Sequence, residues 1–354
     1  MARTAEFRLR SERLVLRPLV RSDITEFTRY RNLPDVARYQ DWPLPYTRDH
    51  AHQLIDDCDR LGRPTPDEWM QLAIDVGGTI VGDIAVWIDR AGHLAMLGYT
   101  IAPGHRGRGF ATEAVRSLVP WLFEIAGVHR IAAELDPRNT ASARVLERCG
   151  FDFVGIARGA ARSRGSWTDD ARYSLLPETW AAWMARPTSP PASIALTEVT
   201  SADVRRVGRL EVGFSQRAFV STVLESIADA AHPPTLDGVV ENPWYRAVIA
   251  DGEHAAFVMV ALPTSSRHVP VLWRLIVDRR HQGRGVGAHA VRLVARALVD
   301  VGQRELEVSY VDVPGGPAGF YRRLGFVPTG VVVDGETWAR ASLDQLLDGG
   351  RAGG

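Results

Sequence analysis

From His105 the chain reads HRGRGFATEAVRSLVPWLFEIAGVHRIAAELDPRNTASARVLERCGFDFVG, and from His281 it reads HQGRGVGAHAVRLVARALVDVGQRELEVSYVDVPGGPAGFYRRLGFVPTG. The offset is 176 at Gly109 and Gly285 and 175 at Phe151 and Phe326, so a single one-residue gap aligns about fifty residues. A repeat of that length means two copies of one domain. The boundary between them falls at Arg186-Pro-Thr-Ser-Pro-Pro-Ala-Ser193, where Pro187, Pro190 and Pro191 deny helix and ladder donors. The expected organisation is a first domain over 1–186, an extended linker over 187–193 and a second domain over 194–354.

At 354 residues the chain is too long for one ordinary core, and 45% apolar with 24% charged residues are ordinary values for a soluble globular chain. Forty-two basic residues balance 42 acidic ones, so no global field draws the chain to nucleic acid or anionic lipid. All the basic residues are arginine. Cys58 and Cys149 are too few for a disulfide framework or a cysteine-ligated zinc site. No apolar run reaches membrane-span length and the start lacks a signal-peptide core, so the chain reads as cytoplasmic. No histidine pair has metal spacing beside an acidic partner, and no metal is expected.

Periodicity orders the elements of each copy. In the first, strands are expected near Arg13–Leu19, Trp69–Asp75, Ile80–Ile88, Leu97–Ala102, Arg130–Leu135, Phe151–Ile156 and Arg172–Leu176. Helices are expected near Ile24–Arg31, Asp49–Leu61, from Ala111, and over Ser142–Arg148. The second copy repeats the later part, with strands Ala247–Ala250, Ala256–Leu262, Leu272–Val277 and Leu306–Val311. Its helices start at Gly287 and span Ala318–Leu324. The fold class is mixed α/β.

Between a strand and an amphipathic helix each copy carries a glycine-rich turn: Arg106-Gly107-Arg108-Gly109-Phe110-Ala111 and Gln282-Gly283-Arg284-Gly285-Val286-Gly287. Small residues let the backbone approach a ligand, and the helix start offers unpaired N–H groups and a favourable dipole. That combination binds phosphate or pyrophosphate, and arginine can pair with its oxygens; the alternative is a tight connection needing glycine for shape alone. A nucleotide P-loop needs lysine, which this chain lacks, and the dinucleotide spacing does not fit. His105 and His281 open the turns from outside the glycine core, which reads as solvent-facing.

The Q/R-x-x-G-x-G/A spacing resembles the acetyl-CoA signature of the GNAT acetyltransferase superfamily. The neighbouring strand steps Tyr99-Thr100-Ile101 and Leu275-Ile276-Val277 and the pairs Gly150-Phe151 and Gly325-Phe326 agree with it. The first half resembles the ribosomal-protein-alanine acetyltransferase branch through SERLVLRPL, GYTIAPGHRGRGFATEA and PRNTASARVLERCGF. The second resembles the diamine/spermidine branch through LWRLIVDRRHQGRGVG, GFYRRLGFVPTG and Asp334-Gly-Glu336. The resemblance implies two tandem GNAT folds, each a mixed, mainly antiparallel sheet flanked by helices, and acetyl-CoA as cosubstrate. Its contacts would fall on Tyr99, Thr100, Ile101, Arg106, Gly107, Arg108, Gly109, Phe110, Ala111 and Thr112. In the second half they would fall on Leu275, Ile276, Val277, Gln282, Gly283, Arg284, Gly285, Val286, Gly287 and Ala288.

The implied reaction is attack of a neutral amine on a thioester, which needs a base, a fixed donor for the developing oxyanion and an acid for the leaving thiolate. By position the oxyanion donors are the amides around Ile101 and Val277. Tyr321 matches the family's general acid, four residues before the Gly of Gly-Phe; the first half has Leu146 there. Glu134 matches a catalytic glutamate of the alanine branch, and its counterpart is Ser309 or Tyr310, depending on where the gap falls. Glu336 matches a carboxylate that holds a substrate ammonium, or is a turn residue. Asn139 and Ser142 resemble a coenzyme-contacting pair, or cap the next helix. Trp42 lies by the acceptor cleft or packs in the core. The acceptor is expected to be a small amine, polyamine-like or an amine-bearing antibiotic or metabolite, with a protein N-terminus the alternative through the first half. One module being a non-catalytic coenzyme-binding partner is a further alternative. The chain is expected to be a monomer with an internal pseudo-dimer, or a homodimer.

Overall fold

The structure, a computed structural model, describes residues 7–236 and 238–349. The chain divides into two compact units, residues 1–185 and 186–354, each on its own sheet. In the first, β1 (Leu9–Arg10), β2 (Val15–Pro18), β3 (Met70–Val76), β4 (Thr79–Ile88), β5 (Leu94–Ile101), β6 (Arg130–Leu135), β7 (Asp152–Ser163) and β8 (Ser166–Leu175) lie in the order β1-β2-β3-β4-β5-β6-β8-β7. Helices α1 (Ile24–Arg31), α2 (Pro34–Ala37) and α3 (Arg48–Leu61) fall between β2 and β3. Helix α4 (Phe110–Pro120) joins β5 to β6, α5 (Thr140–Arg148) joins β6 to β7, and α6 (Pro177–Ala185) follows β8.

The second unit opens with β9 (Ile194–Thr197), α7 (Val204–Val207), α8 (Val223–Ala231) and a short hairpin of β10 (Thr235–Leu236) and β11 (Val239–Val240). Its sheet continues through β12 (Asn242–Ala250), β13 (Glu253–Leu262), β14 (Val271–Val277), β15 (Glu305–Tyr310), β16 (Val327–Val333) and β17 (Glu336–Ser342), in the order β16-β17-β15-β14-β13-β12-β9. Helix α9 (Val286–Asp300) joins β14 to β15, α10 (Ala318–Leu324) joins β15 to β16, and α11 (Leu343–Asp348) follows. The last four strands of each sheet therefore share one topology.

Parallel neighbours need a long crossover, and α4 and α9 supply it for β5/β6 and β14/β15. Along α9, Val286, Ala290, Val291, Val294, Ala295 and Leu298 recur at helical spacing and pack on Val258, Leu272, Leu306 and Val308. Burying each large aliphatic side chain contributes about 1.5–3 kcal/mol. Both parallel pairs then come apart. The register of β5 and β6 holds only from Leu94↔Arg130 to Met96↔Ala132, and that of β14 and β15 only at Val271↔Glu307.

The one-residue gap in the repeat has a location. From Gly109 to Gly127 is 127 − 109 = 18 steps, whereas from Gly285 to Gly302 is 302 − 285 = 17, and all four glycines have positive φ. The extra residue lies where α4 runs into a π-helical turn, Trp121–Ile125, while α9 stays α-helical to Asp300. The β7/β8 hairpin also runs well past its expected end at Ile156. Its tip, Arg158-Gly-Ala-Ala-Arg-Ser163, has no buried residue and so gives no alternation to read.

Candidate active site

In both units the turn geometry follows from glycine. Gly107 and Gly109 have φ of 74° and 81°, and Gly283 and Gly285 have φ of 80° and 85°, a region side-chained residues avoid. Gly109 and Gly285 are the N-caps of α4 and α9, and neither helix start carries a side-chain cap. The first N–H groups of each helix are left for a ligand, which fits a pyrophosphate. Phe110 and Val286 bury their side chains and so offer only backbone there. A Cβ on Gly287 would lie 3.3 Å from the Phe320 ring and 3.4 Å from Val277, so this glycine sets how closely α9 approaches α10 and β14.

The turn arginines and Gln282 do something other than wait for phosphate. Gln282 donates to the carbonyl of Val277 and to Gln216, both at 3.0 Å, and Arg106 donates to the carbonyl of Ile101 at 3.3 Å and pairs with Asp35 at 2.6 Å. The same position thus ties each turn to the end of its strand. Arg108 lies with its guanidinium 4.9 Å from the Phe110 ring centre. Arg284 is 3% exposed and holds Asp251 at 2.6 Å and the Ser189 carbonyl at 2.8 Å. Its guanidinium is committed to the protein, which leaves position 284 only its backbone for a ligand. Asp251 also accepts from the amides of Ala192 and Ser193, so the proline-rich segment is anchored on the second unit.

The gap between β14 and β15 opens into a cleft of about 1470 Å³. Leu272–Val277, the turn residues Gln282, Gly283 and Gly285–Ala288, Ser309, Tyr310, Tyr321 and Glu336 all line it. Because the Asp278 N–H bonds the Ala255 carbonyl, ladder alternation turns the Val277 N–H away from β13 and toward this gap. Ala102 bonding Val81 orients Ile101 the same way in the first unit. Trp273 bulges out of the β13/β14 register and joins the cleft wall.

Strand register fixes which first-unit residue corresponds to which in the second. With the gap in the π turn, the offset is 175 from there on: Glu134 corresponds to Ser309, Leu135 to Tyr310 and Leu146 to Tyr321. Burial agrees, since Ile131 and Ala133 are buried as are Leu306 and Val308. Glu134 faces Arg172 across the sheet as Ser309 faces Trp338, so Asp170 is the first-unit counterpart of Glu336. Asp170 had no signal in the sequence, because only the pairing of β6 with β8 sets it on the same face as Glu134. Burial, with Glu134 nearby, pushes its carboxyl up from the ordinary range.

Tyr321 is 9% exposed and lies in an aromatic nest: stacked on Tyr310 at 5.5 Å and 15°, edge-on to Phe320 and Phe326. Burial, then the neighbouring Tyr310, raise its pKa, so the phenol keeps its proton at neutral pH. Glu134 is exposed and ion-paired with Arg172 at 3.1 Å. Glu336 opens β17 beside the Asp334–Gly335 turn, and its side chain lines the cleft. Asn139 caps α5 by accepting the Ser142 N–H at 3.2 Å, and the Ser142 carbonyl accepts the Tyr99 hydroxyl at 2.7 Å. Trp42 packs: its indole N–H donates to the Arg31 carbonyl and its ring lies 4.2 Å from the Arg31 guanidinium. The solvent-facing reading of the turn histidines is overturned for His281, which is 2% exposed under Arg284, and His105 is half-buried.

Two tandem α/β domains, each with a splayed parallel pair and a glycine turn at a helix start, define a class of acyl-transferring enzymes. Residues 13–152 match the family model for the acetyltransferase (GNAT) domain and 225–326 that for the acetyltransferase (GNAT) family. The chain belongs to the GNAT N-acetyltransferases and carries two such domains in tandem. An uncharacterized N-acetyltransferase p20 of Bacillus licheniformis is 28% identical over 49% of this chain and 98% of its own length. The [ribosomal protein uS5]-alanine N-acetyltransferase of Escherichia coli K12 is 31% identical over 25% of this chain, a match spanning only 45% of that enzyme. Spermidine N-acetyltransferase from Vibrio cholerae, solved with CoA and spermine, is 21% identical over 48% of this chain and 99% of that one, with a TM-score of 0.43. Among the described residues no helix is long and apolar enough to cross a membrane.

Proposed function

We propose that the second domain transfers the acetyl group of acetyl-CoA to a primary amine of a small molecule, by direct attack on the thioester. The observation that carries this reading is one cleft lined by Tyr321, the strand end at Val277 and the uncapped start of α9. In this reading the amides of Val286–Ala288 hold the pyrophosphate and the Val277 N–H faces the carbonyl oxygen as charge builds on it. The amine nitrogen bonds the acetyl carbon, the carbon–sulfur bond breaks, and Tyr321 passes its proton to the leaving thiolate. The proton released by the nitrogen then restores the phenol. Glu336, on the cleft wall, is one carboxylate available to the acceptor's ammonium.

The first domain supports a second reading. Glu134 and Asp170 sit on one face there, as an acid–base pair for a protein N-terminal alanine, which is what the related Escherichia coli enzyme is named for. Against turnover stands Leu146, fully buried where the second domain has Tyr321, which favours a domain that binds acetyl-CoA without transferring it. Glu134→Gln beside Tyr321→Phe separates these. With the acceptor the enzyme turns over, activity kept in Glu134→Gln and lost in Tyr321→Phe assigns chemistry to the second domain. The reverse pattern assigns it to the first, and loss in both means coupled domains.

A further inference from the structure

Tyr310 has a hydroxyl with no hydrogen-bond partner among the described residues, in a side chain only 3% exposed. That hydroxyl bonds nothing among those residues, so what position 310 contributes there is its ring. The first domain has leucine at this position, Leu135, and it also has leucine, Leu146, at the position of Tyr321. The two sites differ together: leucine with leucine, tyrosine with tyrosine. In the second domain the two rings lie nearly parallel, 15° apart with centres 5.5 Å from each other, and both line the cleft. Tyr310 sits on β15 and Tyr321 on α10, so the stack bridges the strand that diverges from β14 and the helix that bears the phenol.

We propose that Tyr310 is a positioning residue for Tyr321, its ring fixing the plane from which the Tyr321 hydroxyl reaches the leaving sulfur. This rests on the reading of Tyr321 as the acid. A flat ring does this better than an aliphatic side chain, because it leaves Tyr321 one tilt rather than several. A misplacement of about 1 Å at a reacting group is enough to cost on the order of a hundredfold in rate.

The test is thiol release from acetyl-CoA by the full chain, with whichever of spermidine, putrescine, kanamycin, lysine and an alanine-initiated peptide gives the fastest turnover. Tyr310→Phe keeps kcat within about twofold and melts no lower than wild type, since it removes only the unpaired hydroxyl. Tyr310→Leu lowers kcat by about 10- to 100-fold with the acetyl-CoA KM little changed. Tyr310→Met serves in its place if the leucine variant fails to fold. Adding Tyr321→Phe to Tyr310→Leu costs nothing beyond Tyr321→Phe alone, because both changes disable one group. A Tyr310→Leu enzyme at wild-type kcat, equal losses in Tyr310→Phe and Tyr310→Leu, or losses that multiply in the double variant would overturn the positioning role while leaving Tyr321 as the acid. Full activity in Tyr321→Phe, or no turnover on any of these amines, would overturn the functional reading and this inference with it.

Discussion

His281 shows what burial does to a single residue beside the glycine turn of the second domain. Packed at 2% exposure, it is kept from protonating, and its pKa lies below 6.5 chiefly because of desolvation. Its contribution to stability is whole above that value. As the pH falls from 6.5 toward the lowered folded value, the unfolded chain takes up a proton that the fold refuses, and stability drops. Melting of the second domain between about pH 7.5 and 5.5 should show that drop, and His281→Gln should flatten it. An unchanged slope in the variant would place the acid sensitivity elsewhere. The sequence showed His281 at the mouth of the turn but not Arg284 folded back over it, a contact made through the separate loop of Asp251.

Among elements, one tight place is where α5 ends. Gly150 follows α5 with φ of 87°, and a Cβ there would come within 2.4 Å of the Trp183 ring in α6. Gly150→Ala should therefore destabilise the first domain. The left-handed conformation accounts for about 1–2 kcal/mol and overpacking for about 1–3 more, read as a lower denaturant midpoint. A midpoint unchanged from wild type would mean that α6 yields freely. Elements with one apolar face were legible before the structure: α1 and α10 begin and end where periodicity put them, as does β6. The π turn was visible only as a gap in the repeat, because inserting a residue into a helix leaves composition untouched. The exposed β7/β8 tip and the edge strand β16 have no buried side to alternate with. Within the site, glycine turns and Tyr321 stand at fixed sequence spacing and could be read, whereas Asp170 and Tyr310 acquire meaning only from pairing across the sheet.

For the whole molecule, two units with two sheets give two candidate sites of unequal equipment. The first has Glu134 and Asp170 but leucines at 135 and 146; the second has Tyr310, Tyr321 and Glu336 but serine at 309. A ligand that binds only the folded state raises stability by about 2.7 kcal/mol at a hundred times its Kd. Coenzyme A should thus raise the melting midpoint of the second domain, and blocking the approach to its turn with Gly283→Trp should remove that gain without altering the midpoint of the first. An undiminished gain would move binding away from this turn.

We propose that the second domain performs acetyl transfer through Tyr321. It is tested most directly by thiol release from acetyl-CoA across diamines, polyamines, aminoglycosides, amino acids and short peptides, with wild type and Tyr321→Phe side by side. Turnover on a small amine is expected to fall by about a hundredfold or more in the variant, in line with loss of a general acid. Turnover confined to peptides and untouched by the substitution would contradict it and place the active centre in the first domain.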